Sequence, residues 1–142
     1  MRMMVDANII ITALLKDSTV RKLLFFSGME FATVDFAIKE INDHKGELMA
    51  RTGLDERRFD RALHLILSKI GVFDGRFIAQ ELAEAKAIME TIDKDDAAYL
   101  ALAMALEDAV IWSDDRPLKA QHRIRTFTTG EIISLLDESP SE

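Results

Sequence analysis

Residues 93–115 read DKDDAAYLALAMALEDAVIWSDD, and they decide the fold. After Asp93-Lys94-Asp95-Asp96 comes a run rich in Ala and Leu. As a helix it is apolar nearly all round, which places it at the centre of a domain rather than on its surface. Val110-Ile111-Trp112 then forms a strand without polar alternation, the pattern of a strand covered on both faces. A buried helix feeding such a strand, which two adjacent acids close, predicts a parallel sheet of the α/β class.

The alternation extends in both directions. Met3 to Val5 reads as a short buried strand, and Asp6-Ala7-Asn8 as a turn into a helix through Ile9 to Leu15. The β-branched residues there lower helix propensity, so burial must compensate. Asp17 or Ser18 is positioned to cap a second helix ending near Phe26, and Gly28 breaks it. Phe31 to Val34 is the next strand, and Asp35 caps a helix carrying Ile38, Lys39, Glu40 and Ile41. Residues 44–54, with two glycines, read as a connection between helices. Asp55 opens an amphipathic helix with the stripe Phe59, Leu63, Ile66 and Ile70; Arg57, Arg58 and Arg61 lie on its polar side. A brief strand is expected within 71–75, then a helix from Phe77 to Ile92 with Leu82, Ala85 and Met89 aligned. Arg116 to Gln121 is a short helix, Ile124 to Phe127 the last strand, and Thr129 to Leu136 a final helix. Residues 1–138 thus read as one domain and 139–142 as a frayed tail.

The totals narrow the chemistry. The 142 residues suffice for one domain with a real core, and 49% are hydrophobic. The net charge of −7, from 25 acids against 18 Lys and Arg, argues against a protein that coats nucleic acid by global attraction. The absence of Cys excludes disulfides, thiolate catalysis and thiolate metal sites. The three histidines, at 44, 64 and 122, are isolated; His64 is expected at the edge of the core. Asp6 and Asn8 interrupt the N-terminal apolar run, so it does not read as a targeting signal. No apolar stretch approaches bilayer length, and a cytoplasmic location is the expectation.

In parallel α/β folds, ligands bind outside the carboxyl ends of the strands. Asp6 follows the first strand, and Asp114 and Asp115 follow the strand at 110–112. Asp96 opens the helix feeding that strand, with Asp93 available as its cap, and Glu40 lies one turn into the helix after the second strand. Each acid has a plainer reading: a turn residue for Asp6, a helix-start charge for Asp96, a cap for Asp115 and a solvated side chain for Glu40. If Asp6, Glu40, Asp96 and Asp115 converge, their repulsion needs a cation, and carboxylates suit Mg²⁺ or Mn²⁺. Such an ion activates water for phosphodiester hydrolysis and stabilises charge on phosphate. Asn8 and Ser113 either orient a ligand or satisfy turn hydrogen bonds. Trp112 belongs to the core. Lys39, Lys94, Arg116 and Lys119 lie near the acids in sequence and are the candidate contacts to a phosphate backbone.

The order VDANII, AIKEI, DDAAYLALAMAL and WSDD resembles that of the PIN domain family, small metal-dependent nucleases acting mainly on RNA. The resemblance covers roughly residues 2–136 and is similar above all to prokaryotic members, including toxins of toxin–antitoxin pairs. It implies a three-layer α/β/α sandwich with a central, mainly parallel sheet of about five strands. It also implies Asp6, Glu40, Asp96 and Asp115 as catalytic metal ligands for Mg²⁺ or Mn²⁺, with Asp114 in a variable, auxiliary position beside Ser113. RNA as substrate with a 5′-phosphate product, a homodimer and, for toxin-like members, an antitoxin partner follow from the same resemblance. Pro117 stands where the family often has a further Asp.

Three other readings compete. A structure-selective DNA nuclease differs in its substrate. A non-catalytic nucleic-acid-binding or assembly module retains the acids as a weak ion site. A response-regulator-like pocket is disfavoured, because neither a mid-sheet phosphoacceptor Asp nor a late-strand Lys completes it.

Overall fold

The first strand is present as β1 (Arg2–Val5) in the computed structural model, which describes residues 2–15 and 18–138, Ser18 and Glu138 by their backbone alone. It forms the middle of a five-stranded sheet with β2 (Glu30–Val34), β3 (Ile70–Phe73), β4 (Ala109–Trp112) and β5 (Thr126–Phe127). The spatial order is β3-β2-β1-β4-β5, and every pairing is parallel. Met4, Val5, Ile111 and Trp112 are fully buried, as expected of central strands covered on both faces.

Helices supply the two outer layers. On one side α1 (Ala7–Leu14) touches α2 (Ser18–Phe26), α3 (Asp35–Asp43) and α5 (Glu56–Leu67). On the other, α6 (Leu82–Met89) packs on α7 (Ala97–Ala105), which lies against β1, β2 and β4. Tyr99 through Ala103 are all buried, so the apolar run takes the central place its composition predicts. Short α8 (Arg116–Ala120) and α9 (Thr129–Glu138) flank β5. Trp112 packs in the core against Phe31, ring centroids 5.7 Å apart. Among the described residues no helix is long and apolar enough to cross a membrane.

The α/β class and sheet agree with the sequence; several boundaries do not. Residues 45–52 are a helix, α4 (Lys45–Thr52), rather than a connection. It buries only Leu48 and Thr52 and ends on Gly53, whose φ of 72° is the left-handed turn that glycine adopts without strain. Ile70 leaves the helical stripe and starts β3 instead. The helix expected from Phe77 begins only at Leu82: the carboxylate of Asp74 accepts the Arg76 N–H at 2.8 Å, and the turns through 81 continue with the Phe77 N–H donating to the Asp74 carbonyl and the Glu81 N–H to the Ile78 carbonyl, both at 3.1 Å. Asp35 is the first residue of α3 rather than its cap, a favourable charge at a helix start. His64 is exposed, not at the core edge. Asp17 and residues 139–142 lie outside the described residues.

Candidate active site

Strands β1 and β4 are neighbours, yet the chain leaves them towards opposite edges of the sheet. That makes the gap beyond their carboxyl ends the topological switch point where parallel folds place ligands. Val5 pairs with Trp112, so the next residues, Asp6 and Ser113, emerge side by side. Ser113 Oγ donates to Asp6 Oδ2 at 2.5 Å, and the Ile9 N–H donates to Asp6 Oδ1 at 3.1 Å. Asp6 therefore caps α1 and belongs to the site at once. It is 3% exposed, and burial pushes its carboxyl up to about 6 against the lowering pull of these two hydrogen bonds.

The loop after β4 divides its two acids. Asp115 turns towards β1: Asn8 Nδ2 donates to Asp115 Oδ2, and the Asp115 N–H donates to Ser113 Oγ at 3.1 Å. Asp114 turns away and accepts from the Thr129 N–H and hydroxyl, both at 2.7 Å, fastening the loop to the start of α9. The Trp112 indole donates to the same Thr129 hydroxyl at 2.9 Å. Asp114 still adds a negative field at Asp6.

Asp96 stands at the entrance to α7 with no capping hydrogen bond of its own, because Asp93 accepts from the Asp95 N–H and caps the 3-10 turn Lys94–Asp96. Burial raises the Asp96 carboxyl to about 7, assisted by the charges of Asp93, Asp6, Asp115 and Glu40. Its field thus joins all four acids that the sequence singles out. Glu40 reaches in from α3 and accepts from Tyr99 Oη, which in turn accepts from the Ala7 N–H at 3.3 Å. Tyr99 is not among the site residues that the sequence singles out. Its spacing of three from Asp96, on the same helix face, was the available signal.

No three Asp, Glu or His side chains among the described residues are gathered tightly enough to enclose an ion. The donor chemistry nevertheless fits a hard divalent cation: carboxylates supplemented by an amide and a hydroxyl, with no sulfur and no imidazole. Two of the carboxyls, Asp6 and Asp96, are driven towards their neutral form by burial and mutual repulsion, a conflict that a cation removes.

Of the basic candidates, Lys39, Lys94 and Arg116 are exposed. Lys39 pairs with Asp43 at 3.4 Å. Lys119 is engaged by Glu131 and donates to the Thr126 carbonyl at 3.0 Å. Arg57, Arg58 and Arg61 are exposed on α5.

A parallel α/β sandwich with carboxylates at its switch point belongs to the class of folds that build their ligand sites from loops and helix starts at the carboxyl ends of the strands. Residues 4–132 match the family model described as a PIN domain, and the chain belongs to the PIN domain family, whose members generally use divalent metal ions. The fold is also similar to that of a chain in the crystal structure of VapBC2 from Rickettsia felis bound to a DNA fragment from their promoter. That likeness has a TM-score of 0.68 and 17% identity over 90% of this chain and 98% of the other. No curated protein matches the chain.

Proposed function

We propose that residues 1–138 form a single nuclease domain that hydrolyses RNA internally with Mg²⁺ or Mn²⁺, using Asp6, Glu40, Asp96 and Asp115 as ligands and catalytic carboxylates. One observation carries the reading: Asp6 and the Ser113–Asp115 loop meet across the β1–β4 pair, with Asp96 and Glu40 brought to them by α7 and α3. When bound, the ion supplies Lewis acidity at the phosphate and a water that is nucleophilic at neutral pH.

The chain's own groups hold this arrangement. Ser113 uses its one proton on Asp6 and accepts from the Asp115 backbone, so it sets the spacing of two ligands. Asn8 steadies Asp115, and Asp114 steadies the loop through Thr129. Lys39, Lys94, Arg116 and Lys119 contact the phosphate backbone without reading bases. Their charge, with that of the ion, offsets repulsion between an acidic protein and RNA. A toxin role, with an antitoxin protein as partner and a homodimer as the working assembly in the cytoplasm, extends this reading. The likeness to a chain of VapBC2, whose structure contains promoter DNA, supports the extension.

The test is cleavage of a pool of labelled RNA and DNA in Mn²⁺, Mg²⁺ or EDTA by the wild type, Asp6→Asn and Asp96→Asn. RNA cleavage that EDTA and both substitutions abolish is the expected result. Cleavage of DNA alone would identify a DNA nuclease instead. A folded wild type that cuts nothing in the pool would favour the binding-module reading.

A further inference from the structure

We propose that Tyr99 is a positioning residue that aims the Glu40 carboxylate at the ion, an inference that rests on the reading of Glu40 as a ligand. Tyr99 is 1% exposed, and its hydroxyl donates to Glu40 Oε1 at 2.5 Å across 59 residues of sequence. The same oxygen accepts the Ala7 N–H at 3.3 Å. An amide N–H can only donate, so the single proton of the hydroxyl is committed to Glu40.

The ring is fixed as firmly as the hydroxyl. It packs against Phe36, with centroids 5.8 Å apart and planes tilted by 55°. Phe36 and Glu40 are four apart on α3 and share a face, so Tyr99 sits against both. On its own helix Tyr99 follows Asp96 by three, and Ala7 follows Asp6 directly. One hydroxyl therefore ties together the segments that carry Asp6, Glu40 and Asp96.

A Glu side chain loses considerable rotamer freedom when it is held on an ion. Tyr99 restricts that freedom beforehand. It takes up Oε1 and leaves Oε2 as the ligating oxygen. Hydroxyls that orient a ligand in this way typically change ion affinity or activity by about 10- to 100-fold. A purely structural role would differ: loss of the hydroxyl would unbalance Ala7 and lower the melting temperature without changing ion affinity.

The experiment is Mn²⁺ binding by calorimetry to the wild type, Tyr99→Phe, Glu40→Gln and the double variant, with metal-free melts alongside. The expected result is affinity weakened about 10- to 100-fold in Tyr99→Phe, and no further loss on removing the hydroxyl from Glu40→Gln. Wild-type affinity in Tyr99→Phe, or losses that add fully in the double variant, would overturn the assignment. If the wild type itself binds no Mn²⁺, the ligand reading of Glu40 falls with it, an outcome distinct from the other two. A second measurement needs no variant. Tyr99 is the only tyrosine in the chain, so a ring-carbon label at Cζ gives one resonance. That resonance is expected to move as Mg²⁺ saturates the site, and a stationary signal at saturation would also overturn the proposal.

Discussion

Ser113 and Asp6 lie 107 residues apart in sequence, and the hydroxyl of one donates to the carboxylate of the other at 2.5 Å. The bond holds a buried charge that has few other partners. Ser113→Ala leaves Asp6 Oδ2 without its donor and is expected to lower stability by about 1–3 kcal/mol near neutral pH. Because that hydrogen bond lowers the Asp6 carboxyl, its removal also raises the carboxyl further above 6. Denaturant titrations of both proteins measure the loss, and carbon-detected titration of the carboxyl reads its direction.

Stability without metal should fall as pH rises. Burial lifts the Asp6 carboxyl from an ordinary 3.8 to about 6 and that of Asp96 from 3.8 to about 7, so the folded chain binds protons more tightly than the unfolded one. The stabilisation is complete below pH 3.8 and is lost as pH climbs through about 6 and 7. For well-buried Asp6 it is on the order of 3 kcal/mol. Melting in EDTA should therefore drop between about pH 4 and pH 7 and level off above, and Mn²⁺ should restore the loss. A flat profile in EDTA would show that the two carboxyls do not carry this burden.

Asp96→Asn should separate stability from function. The amide removes a charge that burial and four neighbouring acids oppose, so the metal-free variant should melt higher than the wild type at neutral pH. Cleavage should fall by at least about 100-fold, the scale on which loss of electrostatic stabilisation in a site is felt. Paired melts and cleavage assays test both halves.

Asp114 and Asp115 should behave differently despite their adjacency. Asp114→Ala breaks two 2.7 Å hydrogen bonds to Thr129 and is expected to lower stability by about 1–2 kcal/mol, as other lost caps do. Asp115→Asn should leave stability nearly intact and reduce cleavage more. The opposite pattern would exchange their roles.

Gly53→Ala places a side chain at a φ of 72° and should destabilise the chain by about 1 kcal/mol, with cleavage unchanged at temperatures well below the melt. A neutral outcome would show that the end of α4 relaxes freely.

Much of this organisation is legible in the sequence. The strands at Met3–Val5 and Val110–Trp112 are short apolar runs that stop at acids, and burial on both faces leaves no other pattern open to them. The run from Ala97 is too uniformly apolar for any place but the centre. Elsewhere the local signal is weak or misleading. Helix α4 contains Gly46 and buries two residues, which leaves little periodicity to detect. Ile70 continues a helical stripe by spacing, but its pairing with Phe31 makes it a strand residue. Ile78 is buried within turns, so burial there does not imply a helix. The ends of Asp6, Asp96 and Asp115 could be guessed from strand-end and helix-start positions. The hydroxyls of Ser113 and Tyr99 were harder to place, because their partners lie across the sheet and 59 to 107 residues away in sequence.

The pairing of β1 with β4 makes the site a late event in the life of each molecule. Asp6 follows the first strand and Asp115 the fourth, so no single local segment of the chain carries the complete set of acids. The acids come together only when the fourth strand docks beside the first, and any opening that parts those two strands disperses them.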